Sequence, residues 1–147
     1  MNPRLFPFKG LALVSPPWPL FNRPSIQIAS LKAYLQDRFP NVKINAFHVY
    51  LSVAERIGYP VYQAVSERTW AAEAVYAALL YPEKRVELGR LFNKSLGSGR
   101  NNEKIDFESL VSRMEEITES LLSDISWDEF DLAGFSISLC QMTASLY

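Results

Sequence analysis

The stretch LALVSPPWPLFNRPSIQIASLKAYL, residues 11–35, constrains the fold more than any other. Leu11, Ala12, Leu13 and Val14 form an uninterrupted apolar run that stops at Ser15. Pro16, Pro17 and Pro19 then keep the chain out of helix, and Pro24 with Ser25 opens a helical pattern. A four-residue run that does not alternate predicts a strand covered on both faces, as in a parallel sheet flanked by helices. Such sheets bind ligands beyond the carboxyl ends of their strands, so the loop of residues 15–25 is where a small-molecule site is expected.

The rest of the chain extends this unit. From Pro24 to Arg38, Ile28, Leu31, Leu35 and Phe39 recur at spacings of three and four, predicting a helix with one apolar stripe on the sheet. VKINAFHVYL, residues 42–51, predicts a second strand with Val42, Ile44, Ala46 and His48 on one face, parallel to the first through a right-handed crossover. A short helix over 52–57 should end at Gly58, and residues 60–96 read as helical throughout, with Ser66 as an N-cap and Pro82 as a break. GSGRNN falls in a flexible loop expected over residues 96–104. Behind an Asp106 cap, Phe107, Leu110, Val111, Met114, Ile117, Leu121 and Leu122 predict a helix that covers the sheet. LAGFSISL, residues 132–139, predicts a third buried strand, and CQMTASLY the opening of a helix.

The fold expected is thus α/β: a Rossmann- or flavodoxin-like parallel sheet of about three strands in the order 2-1-3, with flanking helices. All 147 residues are read as a single domain. Its third strand would leave a long apolar edge free, so a truncated domain is expected, with a homo-oligomer forming through that edge.

Charge and composition exclude several classes of function. A net charge of −1 with mixed signs offers no basic field for nucleic acid or an anionic membrane. No apolar run approaches the length of a membrane helix, and the single cysteine, Cys140, excludes an internal disulfide. A cytoplasmic location is expected on these grounds. Neither a G-x-x-x-x-G-K-[ST] loop nor a G-x-G-x-x-G fingerprint is present, and one His with one Cys gives no metal set. Cys140 and His48 fall on different predicted strands with no orienting group, which disfavours a nucleophile pair. Glu115, Glu116 and Glu119 lie off the apolar stripe of their helix and read as a solvated face.

The loops after strands one and three carry the remaining chemistry. Arg23 and Ser25 sit where a helix N-terminus favours a phosphate or carboxylate, or else Ser25 simply caps the helix and Arg23 is solvated. Trp18 either walls a flat ligand or closes the core. Ser136 and Ser138 share one strand face, and Gln141 follows at the same rim, so these residues should converge with Ser15 and Pro17 on one crevice at the switch point.

Residues across the chain also carry a resemblance. LVSPPW, RPSIQIASLKAYL, HVYL with ERIGYPVY, TWAAEAVYAALLYPE and AGFSISLCQMTASLY together resemble the N-terminal region of radical SAM enzymes of the ribosomal-peptide (RiPP) maturation group. The leading domain of that group is similar to cobalamin-binding domains. The resemblance implies cobalamin lying across the carboxyl ends of the strands, with Ser15, Pro17, Trp18, Arg23, Ser25, Ser136, Ser138 and Gln141 as its contacts. It further implies a missing C-terminal radical SAM domain as partner, together with a peptide substrate. The Asp-x-His-x-x-Gly cobalt-ligand motif is absent, as is Cys-x-x-x-Cys-x-x-Cys, so the iron–sulfur cluster and S-adenosylmethionine would belong to the remainder. Two alternatives stay open: a degenerate domain that docks the radical barrel or a peptide without cobalamin, and an independent small α/β protein binding a phosphate-bearing ligand.

Overall fold

The computed structural model describes residues 9–97 and 105–147. The lead-in carrying Leu5, Phe6 and Phe8, and most of the loop expected over 96–104, lie outside them. The elements run β1 (Gly10–Ser15), α1 (Ile26–Arg38), β2 (Lys43–His48), α2 (Val49–Ile57), α3 (Tyr59–Ser66), α4 (Thr69–Leu80), α5 (Arg85–Leu96), α6 (Phe107–Ser123), β3 (Leu132–Phe135) and α7 (Met142–Leu146). The three strands form a parallel sheet in the order β2-β1-β3. This is the α/β order read from the apolar runs. Leu13 stands opposite Ala46 on one side and Gly134 on the other, which fixes the register.

The two faces of the sheet are covered unequally. On the α1 side, Leu13, Ile28 and Ile44 are buried together, with Leu11, Leu35, Val42 and Ala46 around them. Leu31, expected in the same stripe, is exposed, because α1 lies over β1 and β2 and leaves β3 uncovered on that face. The main core belongs to the helices: Tyr50, Tyr62, Tyr76, Phe92, Val111 and Met114 pack with Trp18 beside the other face. Helix α4 is its hub. Five buried residues of α4 (Ala71, Ala72, Ala74, Val75 and Ala78) are small enough to let α5, α6 and α7 approach closely. The burial of most of the helix circumference follows.

Four local expectations are corrected. Helix α2 begins at Val49, whereas the strand was expected to run to Leu51. The pairing of β2 ends where β1 does, with His48 opposite Ser15, and beyond it no partner is left for an extended backbone. Ser66 closes α3, and the N-cap of α4 is Arg68. Helix α6 packs mainly on α2, α4 and α5 instead of covering the sheet, because the long crossover from β2 to β3 fills that layer with helices first. Strand β3 stops at Phe135 and is not buried: Leu132, Phe135, Ile137 and Leu139 are all exposed along an open edge.

Side chains tie the ends of the sheet together. The Asp131 carboxylate accepts from the amides of Lys9 and Gly10, which hold it below the usual carboxylate range. Lys43 pairs with Glu129 across the same end. A Cβ on Gly10 would stand 2.1 Å from the Glu129 carbonyl oxygen, so only glycine lets the chain before β3 cross the start of β1.

Candidate functional site

At the carboxyl ends of β1 and β3 the chain opens into a cleft of ≈ 370 Å³. Six of the eight residues expected at the site line it: Ser15, Trp18, Arg23, Ser25, Ser136 and Ser138. It lies between the two crossovers of the 2-1-3 sheet, where this topology splits its loops to opposite sides. Its volume is within the range of about 300–1,000 Å³ usual for small-molecule sites.

Two hydrogen-bonded clamps hold the walls. In the first, the Tyr62 hydroxyl accepts from the Trp18 amide at 2.8 Å and donates to the Pro19 carbonyl at 2.8 Å. The phenol is completely buried, and burial pushes its pKa well above the ordinary value. In the second, the Gln141 side chain donates to the Pro16 carbonyl at 2.7 Å and accepts from the Ser138 amide at 2.9 Å and hydroxyl at 2.6 Å. The loop after β1 and the loop after β3 are therefore joined through one buried amide. Beyond it, the Glu73 carboxylate accepts from the Met142 and Thr143 amides and anchors α7 to α4.

Two expected contacts fall elsewhere. Pro17 lines a different, apolar pocket with Val14, Pro16, Thr118 and Phe135. Gln141 is turned inward as the clamp and does not line the cleft. Trp18 answers the choice left by the sequence: it is 1% exposed, with ring centroids 5.1 Å from Tyr62 and 6.4 Å from Tyr76, so it closes the core. The apolar wall comes instead from Leu20, Ile137 and Leu139, which are exposed at the cleft rim. Sequence reading did not single out these three, nor Gln27 and Tyr50; Leu20 and Gln27 sit inside the loop–helix stretch and were within its reach. Tyr62 carried no local signal, since its partners are more than forty residues away.

Ser25 occupies the N-cap position of α1 but its side chain makes no capping bond. The amides of Ile26, Gln27 and Ile28 have no acceptor among the described residues. Trp18 and Cys140 are the two non-glycine residues with positive φ among those described, at 86° and 68°, and both line the cleft. Backbone in that region costs a side-chain-bearing residue about 1 kcal/mol or more, a cost the two clamps offset. Burial pushes the Cys140 thiol up, and it contacts the Ser66 carbonyl and the Thr69 side chain; His48 lies edge-on to Tyr50 outside the cleft. The two form no nucleophile pair. Among the described residues no cluster of three His, Cys, Asp or Glu side chains could hold a metal ion, and no helix is long and apolar enough to cross a membrane.

No family model matches this chain, and neither the curated proteins nor the solved structures contain a match to it.

Proposed function

We propose that the chain is a cofactor-binding module of the kind that leads radical SAM enzymes of the RiPP maturation group, its cleft accepting the nucleotide tail of cobalamin. The observation that carries this reading is a cleft lined by both hydrogen-bonding and exposed apolar side chains. Ser15, Ser25, Gln27, Ser136 and Ser138 line it with hydrogen-bonding groups, while Leu20, Ile137 and Leu139 line it with exposed apolar surface. A tail needs the first and a flat macrocycle the second. The volume of ≈ 370 Å³ suits the tail alone, so the corrin would lie across the rim. Trp18 has no part in that wall. Bound cobalamin would supply a methyl carrier or a shield at a radical centre. The iron–sulfur cluster and S-adenosylmethionine belong to a C-terminal radical SAM domain, which with a peptide substrate is the partner this reading requires. The chain's own residues hold and orient the cofactor, and catalysis by this chain alone forms no part of the proposal.

Titration with hydroxocobalamin, followed by desalting and a visible spectrum, tests it. Retained corrin absorbance that Ser138→Ala reduces and Leu139→Glu abolishes is expected. A chain that keeps no corrin at micromolar protein and millimolar cobalamin refutes the reading.

A second reading has its own observation. Leu132, Phe135, Ile137, Leu139, Met142 and Leu146 are all exposed on or beside the open edge of β3, and such an edge pairs readily with another strand. A domain without cobalamin would use it to dock the radical barrel or a second copy of the chain. Concentration-dependent mass in light scattering, lost in Ile137→Lys, would favour self-pairing.

A further inference from the structure

A second hollow, of ≈ 200 Å³, adjoins the strand ends and shares no lining residue with the cleft. Six separate segments build it: the end of β1 with Pro16 and Pro17, the start of α2, the second half of α6, the turn that follows α6, Phe135 of β3, and α7. Val14 and Phe135 are paired neighbours across β1 and β3, so the sheet itself supplies part of the wall. Leu122, Phe135 and Leu146 are exposed, which opens the hollow to solvent.

Its chemistry is set by what the wall has already spent. No Asp, Glu, Lys, Arg or His lines it. The Thr118 hydroxyl is hydrogen-bonded to the Tyr76 hydroxyl at 2.8 Å, the Ser145 hydroxyl donates to the Met142 carbonyl at 2.7 Å, and the Trp127 indole N–H donates to the Leu122 carbonyl at 2.9 Å. Pro16 and Pro17 bring no N–H, and the Pro16 carbonyl already accepts from Gln141. Tyr147 packs its ring 5.8 Å from Tyr76; burial, with Glu115 and Glu119, pushes its phenol above the ordinary value, so it stays neutral. Water keeps its place in a hollow through about three hydrogen bonds, and this wall has few to give. Displacing such poorly held water by an apolar group is favourable.

We infer that this hollow is a binding site for a small uncharged aromatic molecule, one ring with one or two short substituents. The size follows from the volume, since an apolar cavity of about 150 Å³ accepts benzene. Three aromatic side chains of the wall, Trp127, Phe135 and Tyr147, favour an aromatic ring over a linear chain, because they meet it in offset or edge-on contacts. A charged or strongly polar ligand is excluded by the engaged hydrogen-bonding groups, which cannot replace the water it gives up. The inference does not rest on the cobalamin reading, because the hollow and the cleft have no residue in common.

The test is a ¹H–¹³C methyl NMR titration of the full chain with toluene and, separately, with phenol, which is of similar size but carries a hydroxyl. Saturable shifts of the Leu122, Ile125 and Leu146 methyl groups with toluene are expected, and phenol should bind at least about tenfold more weakly. Ser145→Leu grows a side chain of the wall and should block toluene. Leu122→Gln replaces an exposed apolar contact by a polar, helix-compatible residue and should weaken toluene about tenfold. Far-ultraviolet circular dichroism checks that each variant folds; if Ser145→Leu does not, Leu122→Gln decides alone. Absence of saturation with toluene overturns the inference, and so does toluene affinity unchanged in the folded variants, which places the binding elsewhere. Phenol binding as tight as toluene overturns the apolar class of ligand. Toluene binding without cobalamin retention refutes the cobalamin reading alone, and cobalamin retention without toluene binding refutes this site alone.

Discussion

Replacing Tyr62 by phenylalanine removes one oxygen atom and should cost the protein a large part of its stability. The ring stays where it is, tilted against Trp18 at 5.1 Å and edge-on to Phe21 at 5.9 Å, so no cavity of consequence opens. What is lost is the clamp on residues 18 and 19. The Trp18 amide, buried and donating at 2.8 Å, is left without an acceptor, and the Pro19 carbonyl loses a donor at the same distance. Stranding a buried backbone N–H costs about 1–3 kcal/mol, and losing the half-buried second bond about 0.5–1.5 kcal/mol. The sum is about 1.5–4.5 kcal/mol, or about 5–14 °C in Tm at this chain length. Urea unfolding followed by far-ultraviolet circular dichroism measures it, with a lower midpoint at an unchanged slope as the expected result. The positive φ of Trp18 should relax as well, so slow exchange of the Trp18 amide should be lost. A stability loss below about 0.5 kcal/mol would refute the reasoning, because it would mean that water reaches the Trp18 amide and that the turn holds without the phenol.

Other perturbations follow from the same geometry. Burial raises the pKa of both Tyr62 and Tyr76 above the ordinary tyrosine value, so the folded state keeps protons that the unfolded chain releases above about pH 10. Stability contributed this way is complete below about pH 10 and should fall by about 1.4 kcal/mol per pH unit for each phenol as pH rises beyond it; Tyr76→Phe should remove one phenol's share of the slope of urea midpoints against pH. Gln141→Leu keeps the volume but leaves the Pro16 carbonyl and the Ser138 amide unpaired, at a cost of about 2–4 kcal/mol. Hydrogen exchange should then rise across residues 136–140. Gly10→Ala drives a methyl into the Glu129 backbone carbonyl and should destabilise by about 1–3 kcal/mol or more, read by the same urea midpoints.

The sheet was legible because its signal is local. An apolar run that fails to alternate, a proline-rich break and a 3.6-residue stripe each depend on neighbours within a few positions, and together they specify β1, α1 and the parallel order. The place of the cleft was legible for the same reason, since the topology fixes where strand ends open. Element ends were harder. Where β2 gives way to α2 depends on where β1 stops offering hydrogen bonds, at Ser15, far earlier in the chain.

The sequence by itself determined which residues stand at the mouth of the sheet, because chain order places Ser15, Arg23, Ser25, Ser136 and Ser138 just beyond strand ends. Only the tertiary structure decided what each of them does. Trp18 could serve as wall or as core until α3 and α4 supplied Tyr62 and Tyr76 against it. Gln141 could be a ligand contact until the loop after β1 presented the Pro16 carbonyl, 125 residues away in sequence. A side chain's role is set by which polar and apolar groups it meets on burial, and those groups arrive from distant segments, beyond the reach of any local pattern.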